Sequence, residues 1–222
     1  MLHLYALTEH PTQLASARGI EGSFLMTVEV DGIDAVFSEP AVEVREATDD
    51  AILAHAGVVE KIAELNDAVL PARLGRPYAS EEALAEGVRA RAPELRKALE
   101  RVRGCAELGV RVVSNAQGAG APARTGAEYM RSRLDAVRGA ERVAEELHDA
   151  VRTIARDTAS QILASPQFVL SAAFLVPRTQ VDSFHTAVAA VERERPEFTF
   201  VCTGPWPPYS FALVDGRENE QR

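Results

Sequence analysis

Cysteine is nearly missing from this chain: Cys105 and Cys202 are the only thiols in 222 residues. Two are too few for a disulfide scaffold and ordinary for a reduced compartment, where a thiol behaves as a small hydrophobe. Long apolar runs are missing too. The longest, Phe168 to Val176, has nine residues and includes Ser171, well short of the roughly eighteen that a bilayer-crossing helix needs. The opening MLHLYALTEH lacks the positive n-region and long apolar h-region of a secretory signal. The expectation is a soluble, cytoplasmic protein with no membrane partner. Positive charge is in deficit, with 24 Lys and Arg against 33 Asp and Glu and a net charge of -9. Nucleic-acid binders present clustered Lys and Arg to replace condensed counterions, so only a local basic patch would suit that class of partner.

Motifs of chemistry are also absent. No GxSxG, CxxC, P-loop or HExxH occurs. The five histidines, His3, His10, His55, His148 and His185, are scattered, with no cysteine at metal spacing, so no metal site and no catalytic residue is expected. His55 lies on the apolar stripe of a predicted helix. It reads as a tuned acid or base or as a partly buried structural histidine, and the lack of a carboxylate or nucleophile at a telling spacing favours the structural role. Gly118-Ala-Gly120-Ala-Pro-Ala123 fits the relaxed GxGxxG/A dinucleotide fingerprint. Against it, the first glycine lies several residues past the preceding strand, Pro122 intrudes, and the next helix is capped at Thr125. Backbone amides would then not converge on a pyrophosphate. A nucleotide-binding protein or an enzyme using the Gly118–Ala123 loop is the alternative function; a surface loop is the plainer reading.

What is present is a core. With 46% hydrophobic and 26% charged residues, the chain is globular in composition. Its length suits one large or two small domains, and two are expected. Strands are predicted at Leu2 to Leu7, Phe24 to Val30 and Ile33 to Phe37. Asp31-Gly32 between the last two marks a hairpin, because a type I′ turn needs positive φ at both central positions. Segment 11 to 22 is a loop or holds a short helix around Gln13 to Arg18. After Thr48, Ile52, His55, Val59 and Ile62 recur at helical spacing. Segment Val69 to Tyr78, with two prolines and a glycine, cannot continue that helix. Leu84, Val88, Leu95, Leu99 and Val102 mark a second helical stretch that Pro93 should break and Gly104 close.

Cys105 to Ser114 reads as a strand. Thr125 and Glu128 have capping-box spacing ahead of a long helix with Met130, Leu134, Val137, Val143, Leu147, Val151, Ile154 and Ile162 on one stripe. Phe168 to Val176 is predicted as a central strand buried on both faces, Thr179 as the cap of a further helix that Pro196 stops, Phe198 to Thr203 as a strand, and Ser210 to Val214 as a last one. The expected class is α+β, in two domains: a small N-terminal α+β domain, residues 1–103, and a C-terminal ferredoxin-like α/β sandwich with a long helix, residues 104–222. The boundary falls near Gly104 or, because the broken helix suits either domain, near Gly75.

Two segments could meet a partner. Arg73 and Arg76, in Leu70-Pro-Ala-Arg-Leu-Gly-Arg-Pro-Tyr78, could hold a carboxylate through guanidinium forks or simply be solvated. In Thr203-Gly-Pro-Trp206-Pro-Pro-Tyr209-Ser-Phe211, proline stiffens an extended connection and holds its aromatics with little entropy left to lose. Trp206, Tyr209 and Phe211 suit a binding hot spot or a plug over the core.

TGPWPPYSF at Thr203 to Phe211, LSAAFLVP at Leu170 to Pro177, VLPARLG at Val69 to Gly75, the opening HLYAL and the Gly126-Ala-Glu-Tyr-Met-Arg131 block together resemble, in order, the gas vesicle protein L/F (GvpL/GvpF) family. The resemblance covers nearly the whole chain. This sequence departs at Leu74, where phenylalanine is more usual, and at Arg76-Pro77-Tyr78, where a Thr-Val-Phe-like run is common. The resemblance implies a gas vesicle accessory protein of two α+β domains, without cofactor or small-molecule substrate. It also implies binding to the small hydrophobic shell protein and to other gas vesicle accessory proteins, and a place on the gas vesicle in the cytoplasm.

Overall fold

A computed structural model of the chain describes residues 1–9, 17–41, 48–115, 125–162 and 168–212. They form two compact units. The first comprises Met1–Cys105 together with the described residues from Pro207 onward, and the second is Ala106–Trp206.

In the first unit, strands β1 (Leu2–Thr8), β2 (Leu25–Val30) and β3 (Ile33–Ser38) are followed by helix α1 (Asp49–Leu65), short strands β4 (Val69–Pro71) and β5 (Pro77–Tyr78), and helices α2 (Glu81–Ala90) and α3 (Ala92–Val102). The sheet runs β2-β3-β1-β4, with β5 also paired to β1. The β2–β3 hairpin closes with Val30 opposite Ile33, and Asp31 and Gly32 both take positive φ, 52° and 76°, as the Asp-Gly pair predicts. Every residue of β1 and β3 is buried. On α1, Ala51, His55, Val58, Val59 and Ile62 face the sheet, packing with Tyr5 and Val36. Ile52 is instead exposed, because the stripe starts one residue earlier at Ala51, whose small side chain suits close approach at the helix start. The proline- and glycine-bearing segment after α1, which cannot continue that helix, supplies β4 and β5, both antiparallel to β1. Proline is tolerated there because each lies at a strand end. Pro93 separates α2 from α3 at the first turn of α3, where its missing amide costs nothing. Gly104 follows with φ 68°.

The second unit holds β6 (Cys105–Ser114), α4 (Gly126–Val151), β7 (Asp157–Ile162), β8 (Phe168–Pro177), α5 (Val181–Glu194) and β9 (Phe198–Trp206), with sheet order β7-β8-β6-β9. That is the split-βαβ order of a ferredoxin-like sandwich. One sheet face carries Leu108, Val110, Val112, Ala172, Phe174 and Phe200 against α4 and α5, with the Phe174 and Phe184 rings 5.2 Å apart.

Four local expectations are corrected. The long helix ends at Val151, and β7 replaces its expected last turns. DTASQI carries no alternating apolar signal, but all six residues pair with β8 from Asp157 opposite Leu175 to Ile162 opposite Leu170, and an edge strand needs little intrinsic propensity when a neighbour supplies the ladder. Central β8 is buried at Leu170, Ala172 and Phe174 but only partly at Ser171 and Ala173, so mid-strand it packs on one face. Gln180, not Thr179, is the N-cap of α5, without a side-chain cap, after a 3-10 turn over Arg178–Gln180. Tyr209–Phe211 is a 3-10 turn where a strand was expected, and the last two residues of that strand, 213 and 214, lie outside the described residues, as do residues 13–16 of the possible short helix.

Candidate functional site

The segment TGPWPPYSF is divided between the units, and its aromatics take opposite roles. Strand β9 continues through Gly204 and Pro205, joined by a cis peptide, so that Trp206 pairs with Glu107 of β6 after a register shift. Gly204 has φ 105°. A Cβ there would lie 2.6 Å from the Glu107 carbonyl oxygen, 3.1 Å from Leu108 and 3.2 Å from the Trp206 ring. Only glycine satisfies both that φ and that space. The strand can thus pass close to β6, and Trp206 emerges 47% exposed.

Alternation along β9 decides which other residues join Trp206. Phe200 and Cys202 point to the helices, leaving Thr199, Val201 and Thr203 on the open face. Across from them on β6 stand Val113, Arg111 and Gly109. Val201 is 45% exposed. The floor at Gly109 is close: a Cβ would meet Thr203 Oγ1 at 2.6 Å. The outer edge of β9 is partly closed by the chain itself, since Phe200 N–H donates to Glu192 Oε1 at 3.0 Å and Phe198 N–H to the Arg195 carbonyl at 2.9 Å. Burial, and secondarily the Glu192 carboxylate, pushes the Cys202 thiol above its usual pKa, which keeps it protonated and unreactive. Around β9 this face therefore carries Val201 and Trp206 as its exposed large apolar side chains beside Thr199, Thr203, Arg111 and half-buried Val113, while Leu175 of β8 on the same side of the sheet is buried.

Tyr209 and Phe211 belong to the first unit. Phe211 is buried, with the Arg101 guanidinium carbon 5.5 Å from its ring centre. It is a plug in the core and offers a partner nothing. Tyr209 is 37% exposed. Arg73 and Arg76 lie in the β4–β5 connection, which Ala72 N–H pins to the Tyr5 carbonyl at 2.8 Å and Pro77 to His3 by strand pairing. Leu74 packs toward the α1 core while both arginines are exposed. The structure thus leaves Trp206 in one unit and Arg73, Arg76 and Tyr209 in the other. Val201 was missed from sequence because strand alternation alone does not tell which face lacks a cover.

A cluster of titratable side chains is buried in the first unit. His55 Nε2–H donates to the Ala72 carbonyl at 3.0 Å. A carbonyl only accepts, so His55 Nδ1 is free to accept from His3 Nε2–H at 2.9 Å. The Tyr5 ring stacks on His55 and meets His3 edge-on. Its hydroxyl accepts from Ile20 N–H at 2.8 Å and bonds Ser38 Oγ at 2.9 Å. Desolvation, then repulsion from His55, lowers the His3 pKa to about 4. Desolvation also lowers that of His55, against the Ala72 hydrogen bond that raises it. Both rings are neutral, enclosed and mutually satisfied, which is the chemistry of a structural network. Among the described residues no group of three His, Cys, Asp or Glu could hold a metal ion, and no helix is long and apolar enough to cross a membrane. The Gly118–Ala123 loop lies outside the described residues.

The family model for gas vesicle synthesis protein GvpL/GvpF matches residues 1–213. The chain is 26% identical to gas vesicle protein F1 of Halobacterium salinarum over 224 residues, 99% of this chain and 97% of that protein. It is also 26% identical to gas vesicle protein F of Haloferax mediterranei, over 100% of this chain and 97% of that one. The crystal structure of GvpF from Microcystis aeruginosa superposes with a TM-score of 0.79 at 17% identity, covering 95% of this chain and 98% of that one. Together with the GvpF structure from an Anabaena species, at the same TM-score, it matches the fold described above.

Proposed function

This chain belongs to the gas vesicle synthesis protein GvpL/GvpF family, and on that premise we propose that it is a non-enzymatic accessory or minor structural protein. It binds the small hydrophobic shell protein and other accessory proteins during gas vesicle assembly. The observation that carries this reading is the open face of the C-terminal sheet, where Val201 and Trp206 stand exposed on a rigid strand. An aromatic held by close backbone packing at Gly204 loses little entropy on binding, the property that makes a hot spot. On the first unit, Arg73, Arg76 and Tyr209 form further exposed contact residues for a partner.

The protein acts by covering apolar surface of a polymerising shell subunit and restraining premature aggregation, with no bond made or broken. Co-purification with the main shell protein measures this. Trp206→Ala is expected to weaken capture by about tenfold or more, the loss typical of a hot-spot aromatic, while circular dichroism and melting stay those of the parent. Undiminished capture by Trp206→Ala, or no capture in any order of mixing, would sink the reading.

A further inference from the structure

Helix α4 has 26 residues, about 39 Å at 1.5 Å per residue, and among its described side chains the buried ones are Ala140, Val143, Leu147 and Val151. The turns before Ala140 carry Met130 and Leu134, 56% and 52% exposed, and half-buried Val137. Steps of four and three residues place these three on one stripe. The capping box at Thr125 and Glu128 satisfies the first backbone amides of this half and favours its helical start.

The border of the stripe indicates what covers it. Arg131 and Arg138 are exposed, and at 100° per residue both fall along the same side of the row. In an antiparallel pair of like helices, same-side borders meet. A second copy centred on Leu134 would set Arg131 against Arg138, and like charges in register destabilise. A partner carrying carboxylates along that border meets the two guanidinium forks favourably. The Asp135 carboxylate lies 4.0 Å from Arg138, but an exposed pair of that length contributes little and leaves the fork available.

We propose that the N-terminal half of α4 docks an amphipathic helix of another protein whose apolar stripe is edged by Asp or Glu. This surface is separate from the open sheet face and would serve a second partner. Its stripe of Met130, Leu134 and Val137 supplies the contact and Arg131 and Arg138 select the acidic edge.

The test uses the full chain and two fluorescent peptides of about 18 residues, long enough for five helical turns, with identical leucine stripes bordered by Glu in one and by Lys in the other. Anisotropy is expected to show the Glu peptide binding at least about tenfold more tightly, a gap that narrows with added salt. Met130→Ser/Leu134→Ser should abolish binding of both, and Arg131→Glu/Arg138→Glu should reverse the preference. Circular dichroism checks that each variant folds. Equal affinity for the two peptides, binding of neither, or binding untouched by the double serine variant would overturn the proposal. So would self-association of the parent chain, seen by sedimentation and lost in the double serine variant.

Discussion

His3 and His55 lie 52 positions apart and share one hydrogen bond inside the first unit, and the burial of both rings makes the fold sensitive to acid. Unfolded imidazoles take up a proton near 6.5, whereas desolvation lowers the pKa of both rings in the fold, His3 to about 4. Between those values the unfolded chain binds more protons than the native one, so stability is full above about 6.5, falls as the pH drops, and levels off below about 4. A depression of that size at His3 corresponds to at most roughly 3 kcal/mol. Urea midpoints followed from neutral pH downward should decline across this window in the parent and stay nearly flat in His3→Gln/His55→Gln. Glycine gives a second expectation at this scale. Gly204→Ala must place a Cβ against the backbone oxygen of Glu107 at positive φ, where nothing can yield, and should cost about 2 kcal/mol or more. Gly109→Ala meets only the Thr203 hydroxyl, which can rotate, and thermal melts should find it the milder change. Neither the histidine pair nor the Gly204 contact was legible in sequence, since the first depends on how α1 packs on β1 and the second on the register of β9 against β6.

Elements were read best where a local signal stands by itself. The Asp31-Gly32 turn, the Pro93 break and the Thr125 cap are each decided within four residues, and each is found where its chemistry requires. In the cap, Thr125 Oγ1 accepts from Glu128 N–H at 3.2 Å and the Glu128 carboxylate accepts from Thr125 N–H at 3.3 Å. Thr125→Ala should cost about 1 kcal/mol. The effect should show as faster hydrogen exchange in the first turns of α4, with the turns from Ala140 onward unchanged. Strand β7 was missed for the converse reason: its polar sequence becomes a strand only because β8 lies beside it. The stripe of α4 was legible as a row, but Met130 and Leu134 read there as core and are exposed in the fold. Periodicity names the apolar face of a helix and cannot say how far the covering layer extends.

For the molecule as a whole, the return of the chain to the first unit after β9 was not visible in sequence. Phe211, buried there beside Arg101, ties residues near the C-terminal end of the described chain to a unit built mostly from the first hundred. Phe211→Ala should therefore destabilise that unit by roughly 3 to 5 kcal/mol, as for other buried Phe truncations. Hydrogen exchange should locate the loss around β4 and α3, not in the sandwich of β6 to β9. Capture of the shell protein by the Trp206 face should survive wherever the second unit remains folded. The sequence by itself determined the α+β class, the hairpin, the starts of α1 and α4, the Pro93 break, and the family. Those follow from turn chemistry, capping, 3.6-residue periodicity and distinctive local blocks, all carried by near neighbours in the chain. Tertiary structure alone decided which of the clustered aromatics plugs the core and which faces outward, that two distant histidines share a buried hydrogen bond, and where apolar side chains are left uncovered. Burial is a property of what packs against a residue, and the packing partners here come from strands and helices far away along the chain.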